Sequence, residues 1–342
     1  MKVFVTGTNG YIGTMLAPAL AAQGHTVVGL DTGFYRDGCL YPGVMPPAQT
    51  IRRDIRQISA DDLAGCDAVV HLAELSNDPL GQHNPALTYA INHAGSVALA
   101  RLCKQVGIER FVYTSSCSVY GVGSDAFKTE QSETNPQTAY AECKVLVERD
   151  VAQLADDTFS PTFLRNATAY GASPRMRFDI VLNNLAGLAW TTREIKMTSD
   201  GTPWRPLVHV LDICQAIACA LDAPRDVVHN QIFNVGDTEH NYRVREIAQI
   251  VAETFPGCTL TLGSNDGDNR SYRVSFDKIH TMLPGFTCQR DAVIGAQELR
   301  TIFEQIGLTR ELFESRLYTR LKQLTHLIGS EQLDEQFFWR QT

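Results

Sequence analysis

The sequence has no uninterrupted apolar run of the ~18 residues that a membrane-spanning helix needs. It also has no excess of positive charge, because 38 acidic residues outnumber 30 lysines and arginines and give a net charge of −8. This balance supplies no electrostatic attraction for nucleic acid or for an anionic membrane surface. We therefore expect no nucleic acid and no membrane as partners. An anionic small molecule would have to be held by a few local arginines and helix N-termini.

Paired cysteines are missing too. The nine cysteines are scattered through the chain and never stand as Cys-x-x-Cys. This arrangement argues against a disulfide framework and against a structural zinc site, so we predict no metal. Such cysteines are typical of small buried side chains in a reducing compartment, and we expect a cytoplasmic protein.

Short β-branched or aromatic runs alternate with helical patterns in the first half of the chain. Strands are predicted at 2–6, 25–31, 68–72, 110–115 and 162–165, and helices at 11–23, 87–106 and 139–154. This alternation predicts an α/β fold with a Rossmann-type doubly wound parallel sheet. The predicted division is a dinucleotide-binding domain at 1–170 that also takes in elements near 206–235, a smaller mixed α/β C-terminal substrate lobe at 171–205 and 236–309, and a helical C-terminal extension at 310–342.

A glycine-rich turn follows the first predicted strand and opens the first predicted helix. Its first glycine permits a tight turn, its second lets the backbone approach a pyrophosphate, and its third lets helix and strand pack closely. The amides at the helix N-terminus then face the phosphates. The motif predicts a dinucleotide site formed by the residues of this turn: Gly7, Asn9, Gly10, Tyr11, Ile12 and Gly13.

Asp31 ends the second predicted strand, 18 residues after Gly13. A carboxylate there accepts hydrogen bonds from both adenosine ribose hydroxyls and repels the 2′-phosphate of NADP. The sequence therefore predicts NAD rather than NADP. Asp54 and Ile55 follow the third strand region and are candidates to bracket the adenine ring.

Tyr140 and Lys144 stand four residues apart at the start of a predicted helix, which places both side chains on one face. A lysine ammonium beside a phenol lowers the pKa of the phenol from about 10. Such a tyrosine can take a proton from a substrate hydroxyl while hydride leaves the same carbon. The serine-rich segment Thr114–Gly121 lies at the end of a predicted strand, at the edge where open parallel sheets bind ligands. One of its serines is expected to hydrogen-bond the reacting oxygen.

With these three features in order, the chain resembles the extended short-chain dehydrogenases/reductases, and among them the NAD-dependent nucleotide-sugar epimerase/dehydratase family, from Met1 to about Gly307. The resemblance implies a catalytic triad of Ser116, Tyr140 and Lys144. It also implies cofactor contacts by the segment Val70–Ala73, including Leu72 and Ala73, and by Asn92, Thr114, Tyr140, Lys144 and Asn166. A nucleotide-diphosphate sugar would be held by Ser116, Thr168, Asn184, Arg205 and Arg270.

Three positions depart from the family pattern. Family members that eliminate water carry an acidic pair directly after the catalytic hydroxyl residue, whereas this chain has Cys117 and Ser118. A thiol with a pKa near 8.5 is a poor substitute for a carboxylic acid, which argues against a 4,6-dehydratase. Glu74 replaces a small residue near the nicotinamide, and the resemblance assigns it no role.

The leading interpretation is an epimerase that oxidises a sugar carbinol, C4 by preference, to a transient keto-sugar and returns the hydride to the other face. A ketoreductase or dehydrogenase with net redox change is an alternative, a 4,6-dehydratase is a weaker one, and a non-catalytic NAD-binding regulator is the option outside enzymes. The nucleotide base, the sugar and the inverted carbon stay open.

The family resemblance also implies a homodimer. We expect the helices near 87–106 and 139–154 to pair with those of a second copy in a four-helix bundle. The pattern behind this expectation is a set of apolar positions on the two helices: Val97, Leu99, Leu102, Val145, Leu146 and Val151.

Overall fold

The computed structural model describes residues 1–43, 46–76, 84–123, 126–264 and 270–340. Within these ranges no helix has the length and apolar character to cross a membrane. In chain order the elements are β1 (Lys2–Thr6), α1 (Gly13–Ala22), β2 (Thr26–Asp31), β3 (Gln49–Arg52), β4 (Ala68–His71), α2 (Pro85–Thr88), α3 (Ser96–Gln105), β5 (Arg110–Ser116), β6 (Phe127–Lys128), α4 (Ala139–Ala152), β7 (Ser160–Asn166), β8 (Thr168–Tyr170), α5 (Val181–Thr192), β9 (Glu194–Lys196), β10 (Trp204–His209), α6 (Val210–Asp222), α7 (Arg225–Val228), β11 (Gln231–Val235), β12 (Asn241–Arg243), α8 (Val244–Thr254), β13 (Thr259–Thr261), β14 (Arg273–Val274), α9 (Asp277–Met282), α10 (Ala292–Ile306), α11 (Arg310–Glu314) and α12 (Arg320–Gly329).

A seven-stranded sheet in the order β11-β7-β5-β4-β1-β2-β3 forms the centre of the molecule. Every neighbouring pair in it is parallel. The strand order reverses beside β1, because β2 and β3 extend to one side and β4, β5, β7 and β11 to the other. Such a reversal opens a crevice at the carboxyl ends of the strands. The predicted Rossmann-type parallel sheet is confirmed.

The two faces of this sheet are covered by different helices. Val3 and Val5 on β1 belong to one buried cluster, together with Leu16 of α1. Phe4, which points to the other face, belongs to a second cluster with Leu99 of α3. The alternation follows from the two-residue period of a strand, and it explains why β1 is apolar at every interior position.

The remaining sheets are small. A three-stranded sheet runs β12-β10-β8, and two-stranded pairs join β13 to β9 and β14 to β6. Helices α5, α8 and α10 pack beside them around a third buried cluster. This region is the mixed α/β lobe that the sequence predicts, although its residue boundaries stay a prediction.

The C-terminal extension packs onto the nucleotide-binding half. Leu324 and Leu327 of α12, and Leu333 and Phe337 beyond it, lie in the same buried cluster as Phe4. The extension is therefore part of the protein core, which its charged composition did not reveal.

The helices expected to form a dimer interface begin and end close to their predicted limits. A π-helical turn at Tyr89–Gly95 joins α2 to α3. Three of the apolar positions assigned to the interface, Val97, Leu99 and Val151, are buried inside the chain's own core. That part of the prediction is wrong, because these side chains cover the sheet and have no surface to offer a second copy.

Candidate functional site

The glycine turn has the geometry that only glycine permits. Gly7 has a φ of +76°, in the left-handed region. A Cβ on Gly13 would stand 2.2 Å from the carbonyl oxygen of Gly7 and 2.7 Å from the Cα of Thr8. Helix α1 begins at Gly13, directly against the carboxyl end of β1. The turn therefore leaves backbone space for a pyrophosphate, and its residues fit a dinucleotide.

Asp31 is held in place by backbone amides. The amide of Gly33 donates to its Oδ1 at 2.7 Å, and the amide of Asn9 donates to its Oδ2 at 2.9 Å. Burial raises the pKa of this carboxyl, and the two amides and Arg320 counteract that rise. The carboxylate lines the cavity beside the glycine turn, where it can accept hydrogen bonds from ribose hydroxyls.

Most of the predicted cofactor residues line this same cavity. They are Gly7, Gly10, Tyr11, Ile12, Gly13, Asp31, Asp54, Ile55, Leu72 and Ala73. Asn9 does not line it and acts through its amide on Asp31. Asn92 is buried with its side chain engaged with the backbone of Leu75, accepting at 2.8 Å and donating at 3.1 Å. Through these contacts the Asn92 side chain holds the backbone of the loop that follows β4.

Two arginines that line the cofactor cavity, Arg320 and Arg177, were not predicted from the sequence. Arg320 reaches it from α12, is 3% exposed, and lies over the ring of Tyr35 at 4.1 Å. Burial and Arg177 lower its pKa to about 10, so it stays charged at neutral pH. Arg177 pairs with Asp179 at 3.0 Å. No sequence motif around Arg320 indicates a role in the cavity. Arg177 could have been recognised, because it stands two residues before an opposite charge, Asp179, just ahead of α5.

A second cavity of about 570 Å³ adjoins the first, and the three residues of the predicted triad line it. Ser116 ends β5, and Tyr140 and Lys144 lie in the first two turns of α4, whose N-cap Thr138 accepts from the amide of Ala141. The Lys144 ammonium is 5.4 Å from the centre of the Tyr140 ring. Thr114 and Asn166, predicted to contact the cofactor, line this cavity also.

The predicted substrate residues face the same space. Thr168, Asn184, Arg205 and Arg270 all line the 570 Å³ cavity, as does Tyr272. Nη1 of Arg205 donates to the carbonyl of Trp204 at 2.8 Å and also to the carbonyl of Arg270. These contacts bring Arg205 and Arg270, which are distant in sequence, together at one wall of the cavity. Charged donors at that wall suit a diphosphate.

Glu74 lies at the boundary of the two cavities and lines both. Its Oε2 is 2.7 Å from Lys144 Nζ, and its Oε1 accepts from the Tyr113 hydroxyl at 2.6 Å. Lys144 Nζ also donates to the carbonyl of Thr114 at 2.5 Å. Although burial alone would lower it, the pKa of Lys144 is raised by the carboxylate of Glu74, so the lysine is charged.

The comparisons with known proteins agree with this geometry. A family model described as the NAD dependent epimerase/dehydratase family matches residues 3–236. A UDP-glucose 4-epimerase of Lactobacillus helveticus is 30% identical over 312 residues, which cover 83% of this chain and 91% of that protein.

Solved structures match over most of the chain as well. MoeE5 in complex with UDP-glucuronic acid and NAD has a TM-score of 0.77 at 27% identity and covers 89% of this chain and 99% of its own. A UDP-glucose-4-epimerase from Stenotrophomonas maltophila with bound NAD and formylated UDP-arabinopyranose has a TM-score of 0.77 at 26% identity, with 90% and 99% covered. The chain belongs to the NAD dependent epimerase/dehydratase family.

As in the rest of this family, the cofactor is NAD, which confirms the prediction from Asp31 and the glycine turn. The residue after Ser116 is Cys117 and not an acid. Cys117 does not line the 570 Å³ cavity, is 1% exposed, and donates through Sγ to the carbonyl of Arg165 at 3.1 Å. Burial raises the pKa of its thiol well above the usual value. It therefore packs in the core and offers no acid to a substrate.

Proposed function

We propose that this protein is an epimerase of nucleotide-diphosphate sugars that inverts a sugar carbinol carbon, C4 by preference, through a transient keto-sugar. The observation that carries the proposal is the shared cavity. Ser116, Tyr140 and Lys144 line it together with Arg205 and Arg270, and it adjoins the dinucleotide cavity along a common wall that includes Ile12, Leu72 and Glu74. Proton transfer, sugar binding and cofactor binding therefore meet in one place.

The chemistry assigned to the chain's own residues is a proton transfer at one oxygen. NAD supplies the hydride acceptor when it is bound and the hydride donor for the return. The Tyr140 phenolate accepts the proton of the sugar hydroxyl as the carbon–oxygen bond becomes a carbonyl, and it returns that proton at the end. The Ser116 hydroxyl donates a hydrogen bond to the same oxygen, and the Lys144 ammonium stabilises the phenolate.

The diphosphate would anchor the substrate while the sugar turns over. Arg205 and Arg270 offer charge-assisted donors to it, and the amide side chain of Asn184, held by the Phe178 carbonyl at 2.8 Å, lines the same cavity. An anchored diphosphate leaves the keto-sugar free to present its other face, which is what inversion requires.

The carboxylates near the sugar favour inversion over dehydration. Among the described residues that line the substrate cavity, the carboxylates are Glu74 and Asp179. Each faces a cation at close range, Lys144 at 2.7 Å and Arg177 at 3.0 Å. A dehydratase must protonate a leaving hydroxyl. Although burial opposes the shift, Arg177 lowers the pKa of Asp179, which makes that residue a poor acid for the step. Burial raises the pKa of Glu74, but both of its oxygens face protein groups, Lys144 and Tyr113, and not the cavity interior.

The test is incubation of the purified protein with a panel of sugar nucleotides, followed by mass spectrometry and proton NMR. We expect a product of unchanged mass with altered ring couplings and no accumulation of NADH. A product lighter by one water would support a dehydratase instead. A stoichiometric change in the reduced-nicotinamide absorbance would support a net oxidoreductase.

A homodimer in a reducing cytoplasm completes the proposal. Leu102 and Leu146, partly exposed on α3 and α4, remain available to a second copy, and all nine cysteines are free thiols. Light scattering at micromolar concentration should give twice the mass of the 37.8 kDa chain. A monomer in this measurement would contradict the proposed homodimer but would not bear on the proposed reaction.

A further inference from the structure

Glu74 and Lys144 form a buried ion pair at the point where the cofactor and substrate cavities meet. The side chains are 2% and 5% exposed, and their charged atoms are 2.7 Å apart. The carboxylate is fixed from its other side by the Tyr113 hydroxyl at 2.6 Å. Because Lys144 also donates to the Thr114 carbonyl, its ammonium is held between an acid and a main-chain oxygen.

The other charges near Lys144 are committed elsewhere. Glu148, one turn along α4, accepts from Arg165 at 2.6 Å and does not line either cavity. His71 lies between the hydroxyls of Thr6 and Ser96, and burial lowers its pKa to about 3, so it is neutral. Glu74 is therefore the carboxylate that balances the Lys144 charge at the cavity wall.

We propose that Glu74 is a positioning residue that holds the Lys144 ammonium in place and provides the counter-charge that lets the site accept the oxidised, positively charged nicotinamide. The proposal rests on the proposed redox role of Tyr140 and Lys144. The oxidised ring carries one positive charge, and the reduced ring carries none. With the pair intact, the wall is close to neutral. Without Glu74, an unbalanced ammonium would repel the oxidised ring and leave the reduced ring largely unaffected.

The test compares the affinities of the full chain, freed of bound cofactor, for NAD and for NADH, and it needs no sugar substrate. Glu74→Gln keeps the shape of the side chain and removes its charge. Calorimetric titration with NAD and with NADH should show the affinity for NAD falling about tenfold relative to that for NADH. Since no turnover is measured, failure of the epimerase proposal would leave this result intact, and the reverse also holds.

Glu148→Gln is the matched control. It removes the charge of a second buried carboxylate paired with a cation, but one that lies outside both cavities. We expect both variants to melt at lower temperature than the wild type and only Glu74→Gln to change the affinity ratio. Tyr113→Phe, which removes the hydroxyl and keeps the carboxylate, should leave the ratio within about twofold.

An unchanged ratio in a folded Glu74→Gln protein would overturn the proposal, and so would an equal change in Glu148→Gln. If Glu74→Gln does not fold, Lys144→Met provides the second test. Burial raises the pKa of Glu74, so without its cation this carboxyl takes up a proton and the wall stays neutral. The ratio should then stay within about twofold of the wild type, and a loss of NAD affinity relative to NADH in Lys144→Met would overturn the proposal, because no ammonium is left to repel the oxidised ring.

Discussion

Among the described carboxylates that line the cofactor cavity, Asp31 and Glu74 are held by different means. Asp31 accepts from two backbone amides, those of Asn9 and Gly33, which lie near it on the glycine turn and the end of β2. Glu74 depends on two side chains, Lys144 and Tyr113, which come from α4 and β5. The first is a local arrangement that a short motif encodes, and the second exists only once distant elements have packed.

This difference bears on what each carboxylate can do. Backbone amides carry no net charge, so Asp31 keeps its negative charge for the ligand. The charge of Glu74 is largely neutralised by Lys144, so its effect on a ligand depends on the pair. A substitution at Asp31 should therefore change which dinucleotide binds, whereas one at Glu74 should change which oxidation state binds.

The largest effect is expected from Tyr140→Phe, which deletes the proton acceptor beside Lys144 and little else. Turnover of the true sugar nucleotide should fall about 10²- to 10⁴-fold while NAD remains bound. Single-turnover kinetics and the absorbance of bound cofactor measure the two quantities. Near-normal turnover would show that the phenol is not the acid–base group.

Asp31→Ala should have the next largest effect, because it removes the acceptor for two ribose hydroxyls and the charge that repels a 2′-phosphate. We expect the affinity for NAD to fall about 10- to 100-fold and the preference for NAD over NADP to narrow. Parallel titrations with the two dinucleotides measure it. Equal or better binding of NADP by the wild type would contradict the assignment.

Arg320→Leu tests whether the C-terminal extension contributes to the cofactor cavity. Loss of a buried cation that lines it should weaken NAD binding about tenfold. Arg310→Leu is the control, because Arg310 lies in the same extension, is exposed, and pairs with Glu314 at 2.7 Å. Equal effects of the two substitutions would show that Arg320 acts only through stability.

The smallest effect is expected from Trp339→Phe. It removes the indole hydrogen bond to the Thr32 carbonyl, 2.7 Å long, and keeps an aromatic ring near Phe34. We expect a loss of about 1 kcal/mol in the free energy of unfolding and a change in NAD affinity within about threefold. Denaturant titration and calorimetry measure these.

The sequence predicted the parts of the site that neighbouring residues form. The strand, turn and helix from Lys2 to Ala22 were recognisable because an apolar strand, three spaced glycines and a helical pattern follow one another. The spacing of Tyr140 and Lys144 placed both on one face of α4 in the same way. These features depend on local backbone geometry, and that is what sequence patterns report.

The rest depends on contacts between distant segments. Strand β3 (Gln49–Arg52) was anticipated only as a region before Asp54, without bounds, because it is a short, largely exposed edge strand with polar residues. The role of Glu74 could not be inferred from the sequence, because its partner Lys144 lies 70 residues further along the chain. Arg320 has no motif around it, and only the packing of α12 against the core brings it to the cofactor cavity.

The position of Arg320 also sets an order of events during synthesis. The glycine turn, Asp31 and the first strands leave the ribosome early, but Arg320 follows Asp31 by 289 residues. At about 5–20 residues per second, roughly 15 to 60 s separate them. During that interval the nascent chain contains the glycine turn and Asp31 of the cofactor cavity but not yet Arg320. The lining of the cofactor cavity is therefore completed late, when α12 docks.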